Sequence, residues 1–179
     1  MNIAVFISGT GSNLKALIDA QKSGYFKSQI KFVLSNKDAA GLSYAKLNGI
    51  DYLISKDDNQ IIRELRKHDI DLIVLAGYLV KIKKKMIEKF TIINIHPSLL
   101  PKYGGKGFYG MNIHRAVFDN KDTISGVTVH YVNENLDEGD VILQKKVDIS
   151  KCMSAEEISR EVLKVEHQTL KEVIKNLEE

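Results

Sequence analysis

Cysteine is almost absent from this 179-residue chain: Cys152 stands alone, which excludes an internal disulfide and a zinc site built on a cysteine cluster. Proline is nearly as scarce, with only Pro97 and Pro101. Excess charge is small. Lysine plus arginine total 26 and the acids 23, a net +3 that gives no reason to expect nucleic acid unless the cations cluster. No apolar run approaches a membrane span, and the longest, Leu72 to Tyr78, has the length of a strand. The opening Met1-Asn2-Ile3-Ala4-Val5 lacks the basic region of a secretory signal, and Ile7 is followed at once by Ser8-Gly9. A cytoplasmic protein without a membrane or nucleic-acid partner is therefore expected. The composition that remains, 44% hydrophobic and 27% charged, is that of a globular chain long enough for one sizeable core.

The first half alternates short apolar runs with amphipathic ones. Ile3–Ile7, Ile30–Leu34, Tyr52–Ile54, Leu72–Leu75 and Ile92–Ile95 read as strands. Leu14–Ala20, Gly41–Asn48 and Asp57–His68 read as helices, with Leu14, Leu17 and Ile18 sharing one face and Ile61, Ile62 and Leu65 another. This rhythm predicts an α/β fold, an open and mostly parallel sheet with helices on both faces. The second half differs. After a helix at Met111–Asn120, the strands Ser125–Val132 and Val141–Ile149 are joined by a connection too short for a crossover, so they are expected to be antiparallel. Ser154-Ala155-Glu156-Glu157 is a capping box that opens a terminal helix. The one long irregular stretch, Pro97–Gly110, carries four glycines, and a loop of that kind in a compact domain is usually functional.

Two segments carry chemistry. The first, Ser8-Gly9-Thr10-Gly11-Ser12-Asn13-Leu14, joins the first strand to the first helix. Glycines let the backbone approach an anion there, and the helix N-terminus offers unpaired N–H groups. The turn begins like a dinucleotide fingerprint, but Leu14 stands where the third glycine belongs, and the chain has no nucleoside-triphosphate loop. A single phosphate fits better than a pyrophosphate. The bland alternative is a tight turn capped by Ser12 or Asn13.

The second segment runs Asn94-Ile95-His96-Pro97-Ser98-Leu99-Leu100-Pro101. Asn94 and His96 are two apart on a predicted strand, so both point the same way at its carboxyl end. An amide and an imidazole aimed at one point can stabilise an oxyanion, and the imidazole can also move a proton. Asp137, in Asn135-Leu136-Asp137-Glu138-Gly139, is the natural third member, although from the sequence alone an ordinary turn aspartate is the favoured alternative. Beside His96 it is expected to favour the imidazolium and raise its pKa. Nothing supports a covalent nucleophile: Ser98 lies in no G-x-S-x-G elbow and no histidine adjoins Cys152. The five histidines form no i,i+4 pair, so no metal is expected.

Taken in order, Ile-Ser-Gly-x-Gly-Ser-Asn, Val74-Leu75-Ala76-Gly77-Tyr78, Asn94-x-His96-Pro97-Ser98-Leu99-Leu100-Pro101 and Gly126-Val127-Thr128-Val129-His130-Tyr131-Val132-x4-Asp137-x-Gly139 resemble the phosphoribosylglycinamide formyltransferase family of folate-dependent formyltransferases, across nearly the whole chain. The resemblance implies a single three-layer domain. Residues 1–100 would be a Rossmann-like phosphate-binding half and 101–179 a folate and catalytic half. It implies formyl transfer from 10-formyltetrahydrofolate to the amine of 5′-phosphoribosylglycinamide, in purine synthesis, by a monomer or homodimer without metal. Carried over by position, Asn94 and a protonated His96 would hold the oxyanion, with Asp137 orienting His96 and helping to remove the amine proton through water. Gly11, Ser12 and Asn13 would hold the substrate phosphate and Glu166 its ribose. Leu79, Val80, Lys81 and Ile82, with Asn94, would line the folate pocket. His114 and His130 are weaker site candidates. Asp58 stands where many relatives carry an arginine near the substrate. The run Lys81, Lys83, Lys84, Lys85 reads either as an attractor for a polyglutamylated folate tail or as a solvated helix face.

Two other readings stay open. One is a formyltransferase acting on an aminoacyl-tRNA, an amino sugar or water. The tRNA enzyme would need a further nucleic-acid domain and a stronger basic patch, and the hydrolase an extra N-terminal domain. The other is a non-catalytic nucleotide-binding module, in which Asn94, His96 and Asp137 would not converge.

Overall fold

A computed structural model describes residues 1–178. Seven strands form one sheet: β1 (Asn2–Ile7), β2 (Gln29–Ser35), β3 (Asp51–Ile54), β4 (Leu72–Leu75), β5 (Thr91–His96), β6 (Ile124–Tyr131) and β7 (Val141–Asp148). Their order is β3-β2-β1-β4-β5-β6-β7. The first five are parallel and the last two antiparallel, as the short β6–β7 connection requires. The helices are α1 (Ser12–Lys22), α2 (Leu42–Leu47), α3 (Asp58–Lys67), α4 (Lys84–Ile87), α5 (Met111–Asp119) and α6 (Ala155–Leu177).

Strand periodicity sorts the core into two layers. On β1, Ile3, Val5 and Ile7 face one way and pack with Leu14 and Leu17 of α1 and Val162, Leu170 and Val173 of α6. Ala4 and Phe6 face the other way, onto Ile61, Ile62 and Leu65 of α3 and Met86 of α4. All five β1 residues from Ile3 to Ile7 are fully buried, so this strand is apolar without alternation, as a central parallel strand must be. The sheet runs unbroken through both halves of the chain, and α6 from the second half packs on α1 from the first.

Local chemistry sets the helix ends. Asp57 caps α3 by accepting the Asn59 N–H at 2.9 Å. Ser154 accepts the Glu157 N–H at 3.2 Å, while the Glu157 carboxylate reaches Met153 N at 2.7 Å, one residue beyond the reciprocal bond of a capping box. The one-turn α4 carries Lys84 and Lys85 of the basic run, for which a solvated helix face was one of the two readings. Neither Ser12 nor Asn13 caps α1. Gly11 does, in the left-handed conformation at φ 73° and without a side-chain bond. A Cβ at Gly11 would lie 2.7 Å from the Gly41 Cα, so both sterics and backbone angle demand glycine there.

Candidate active site

Parallel strands carry their carboxyl ends to one edge of the sheet, and the turns leaving β1, β4 and β5 meet there. A cavity of about 490 Å³ opens at this edge. Leu79, Val80, Lys81 and Ile82, after β4, line one wall. Asn94 and His96, at the end of β5, line the cavity too, as do Leu136 and Asp137 and, from the glycine loop, Phe108 and Tyr109.

His96 is buried, and its Nε2 lies 2.7 Å from the Tyr103 carbonyl oxygen. A carbonyl only accepts, so Nε2 carries the proton and the neutral ring leaves Nδ1 bare. That Nδ1 stands 3.7 Å from Asp137 Oδ1. Burial draws the His96 pKa below the ordinary histidine range. It outweighs Asp137 and the Tyr103 carbonyl, which push it up, and nearby His130 lowers it further. The push expected of Asp137 is present, but desolvation of a nearly enclosed ring is larger and the net shift is downward. The resting His96 is neutral at pH 7, not protonated.

His130 completes the group. In the antiparallel register it sits opposite Asn94. Its Nδ1 lies 2.9 Å from the Tyr131 carbonyl, so Nδ1 donates and Nε2 accepts. Asn94 Nδ2 donates to that Nε2 at 3.1 Å, which fixes the amide orientation and leaves its second N–H free. His130 Nε2 is also 3.8 Å from Asp137 Oδ1. Asp137 is itself pinned: Oδ2 accepts the Gly105 N–H at 2.9 Å, and its backbone is left-handed at φ 58°. A left-handed non-glycine residue costs on the order of 1 kcal/mol and is kept where surrounding structure enforces it. Gly139 supplies part of that enforcement, because a Cβ there would overlap the Tyr131 carbonyl oxygen.

The glycine turn and Glu166 do not line this cavity; they form a neighbouring cluster. Asn13 Nδ2 donates to Glu166 Oε2 at 3.3 Å, while Asn13 Oδ1 is buried without a partner. Burial pushes the Glu166 carboxyl up to about 7, and the Asn13 bond offsets this only in part. The first turn of α1 carries no acidic residue, so its N–H groups face no competing charge. Ser8, just before the turn, accepts the Leu79 N–H at 2.9 Å and ties the two regions together.

The remaining candidates fall outside the cavity. Asp58 pairs with Lys83 at 2.9 Å in the first turn of α3. Lys84 pairs with Glu134 at 3.1 Å, and Lys85 bonds Asn59. Of the basic run only Lys81 lines the cavity. His114 is buried behind it on α5, with Nδ1 unpartnered; burial, and then the nearby His96, pull its pKa down to about 4. Sequence reasoning gave no role to Tyr78, Phe108 and Tyr109, which line the cavity. The signal for the last two was an adjacent aromatic pair inside a glycine-rich loop. Among the described residues, no group of three or more His, Cys, Asp or Glu is placed to hold a metal ion, and no helix is long and apolar enough to cross a membrane.

Known proteins resemble this chain in sequence and in fold. The family described as formyl transferase matches residues 1–174. A chloroplastic phosphoribosylglycinamide formyltransferase of Vigna unguiculata is 39% identical over 98% of this chain and 60% of its own length. The enzyme of the same name from Escherichia coli is 40% identical over 93% of this chain and 82% of its own. The chain therefore spans less than two thirds of the chloroplastic relatives it matches, 60% and 63% of the cowpea and Arabidopsis thaliana proteins. The crystal structure of glycinamide ribonucleotide transformylase 1 from Symbiobacterium toebii superposes with a TM-score of 0.89 at 32% identity, covering 98% of this chain and 86% of that one.

Proposed function

The chain belongs to the formyl transferase family, and on that premise we propose that it moves a formyl group from 10-formyltetrahydrofolate to the amine of 5′-phosphoribosylglycinamide, a step of purine synthesis. The observation that carries the proposal is the meeting of Asn94, His96 and Asp137 in one cavity, with His130 locking the first of them. The names of the Escherichia coli and chloroplastic relatives support the substrates.

Each residue then has a task. The first turn of α1 holds the acceptor's phosphate on the N–H groups of Gly11, Ser12 and Asn13, and Glu166 holds its ribose. Leu79–Ile82 form the donor's apolar wall. The amine nitrogen bonds to the formyl carbon, and the carbonyl electrons move onto oxygen. The free N–H of Asn94 stabilises that oxyanion. His96 enters neutral, takes the amine proton on bare Nδ1, directly or through water, and becomes an imidazolium that Asp137 steadies. As the bond from carbon to the folate nitrogen breaks, His96 returns the proton to the leaving group. Proton and electron counts close without metal or covalent intermediate.

A spectrophotometric assay of folate product, with and without the ribonucleotide, tests this. Ribonucleotide-dependent turnover supports it. Ribonucleotide-independent loss of formyl points to a hydrolase, and no turnover from folded protein to a binding module.

A further inference from the structure

The glycine loop leaves the sheet at His96 and returns through α5 to Asn120-Lys121-Asp122. Its base is fastened at Asp122. Asp122 Oδ1 and Oδ2 accept Lys102 Nζ at 2.9 and 2.8 Å, and Oδ2 also accepts the Tyr103 hydroxyl at 2.7 Å. Asn120 Nδ2 donates to Oδ1 at 3.1 Å, and the Asp122 N–H donates to the Val117 carbonyl, anchoring the carboxylate to the end of α5. Lys102 Nζ lies 5.0 Å over the Tyr103 ring. The Asp122 side chain is 17% exposed but that of Lys102 is 55% exposed, so the shielded contact is the bond to the Tyr103 hydroxyl, and the lysine pair is close to an ordinary surface pair.

Tyr103 is the residue whose carbonyl accepts the His96 Nε2–H, and its backbone is left-handed at φ 56°. A non-glycine residue holds that conformation only where its surroundings over-determine it. The carbonyl that selects the His96 tautomer is therefore presented by a strained residue, and the side chain of that residue is gripped by Asp122.

We propose that Asp122 is a positioning residue: by holding Lys102 and Tyr103 it keeps the Tyr103 carbonyl on His96 Nε2 and so fixes the tautomer that leaves Nδ1 bare toward Asp137. Asp122 touches no reacting atom. Its bearing on turnover rests on the formyl-transfer reading above; its bearing on the imidazole does not.

Long-range proton–nitrogen NMR of the imidazoles tests it, with His96 assigned through His96→Asn and with kcat and KM measured on the same samples. Wild type is expected to show His96 as the Nε2–H tautomer alone. Asp122→Ala is expected to show a mixture, with kcat down about tenfold and KM changed less than about twofold, because a wrong tautomer removes general-base function rather than binding. Tyr103→Phe, which keeps the ring packed on Phe108, is expected to change in the same direction. The double variant is expected to be no worse than Asp122→Ala, since both act through one carbonyl. Wild-type tautomer and kcat in Asp122→Ala and Tyr103→Phe overturn the proposal, and Tyr103→Phe alone decides if Asp122→Ala does not fold. An intact Nε2–H tautomer that is lost in Asp122→Ala, in a protein without formyl transfer, overturns the functional reading and leaves this one standing.

Discussion

The Nδ1 atom of His96 faces Asp137 Oδ1 across 3.7 Å while the ring's other nitrogen is committed to a backbone carbonyl. That arrangement makes His96 a base with one free position and a counter-charge waiting beside it. Asp137→Asn removes the counter-charge, so kcat is expected to fall by about 10²–10⁴-fold. Because Asp137 raises the His96 pKa against the pull of burial, its loss lowers that pKa further. The acid limb of the kcat/KM profile is then expected to move to lower pH in the variant, and a move to higher pH contradicts the assignment.

His130 holds Asn94 by one N–H so that the other is free. His130→Ala releases the amide to rotate. The loss of one oriented hydrogen bond is expected to lower kcat by roughly tenfold, with KM for the ribonucleotide little changed. Steady-state kinetics with each substrate varied in turn checks this.

Glu166 bears on stability as well as binding. Its carboxyl is pushed up to about 7 by burial, so between its unfolded pKa near 4.5 and about 7 the native state holds a proton that the unfolded chain has lost. Stability must then fall as pH rises through that window. Glu166→Gln carries no such penalty. It is expected to match wild type near pH 5 and to exceed it at pH 8 by at most roughly 3 kcal/mol. Denaturant unfolding at the two pH values reads the difference, and weaker binding of the ribonucleotide is expected alongside.

His114 runs the other way. Its native pKa is pulled down to about 4, so below pH 6.5 the unfolded chain takes up a proton that the native state refuses. The protein is expected to lose stability as pH drops from about 6.5 toward 4. His114→Leu, of similar volume and without the ring nitrogens, is expected to flatten that part of the stability curve. Thermal melts from pH 4 to pH 7 provide the check.

Much of this was legible in the residues, and the reasons differ by element. The runs Ile3–Ile7 in β1 and Leu72–Leu75 in β4 are apolar throughout because both their faces are covered, and such runs announce a parallel sheet. The pairing of Asn94 with His96 follows from strand alternation alone. Their meeting with Asp137 does not, because it depends on a loop whose left-handed Asp137 and close-packed Gly139 are set by contacts with β6. His130 was ambiguous for a related reason. Period two places it on one face of β6, but only the register opposite Asn94 tells which face meets the cavity. The upward push of Asp137 on His96 was legible, but a sequence reveals a charged neighbour and not the depth of burial that outweighs it. At Gly11 the two glycines of the turn suggested an anion site, yet the need for Gly41 against it is a packing fact with no sequence signature.

The most direct test of the central claim follows the atom that moves. Folate carrying a ¹³C-formyl group is incubated with the glycinamide ribonucleotide and the protein, and mass spectrometry of the ribonucleotide is recorded against time for wild type and Asp137→Asn. Label on the ribonucleotide amine with wild type, slowed by about 100-fold or more in the variant, is the expected result. Label released as free formate, or transfer at the wild-type rate by Asp137→Asn, contradicts it.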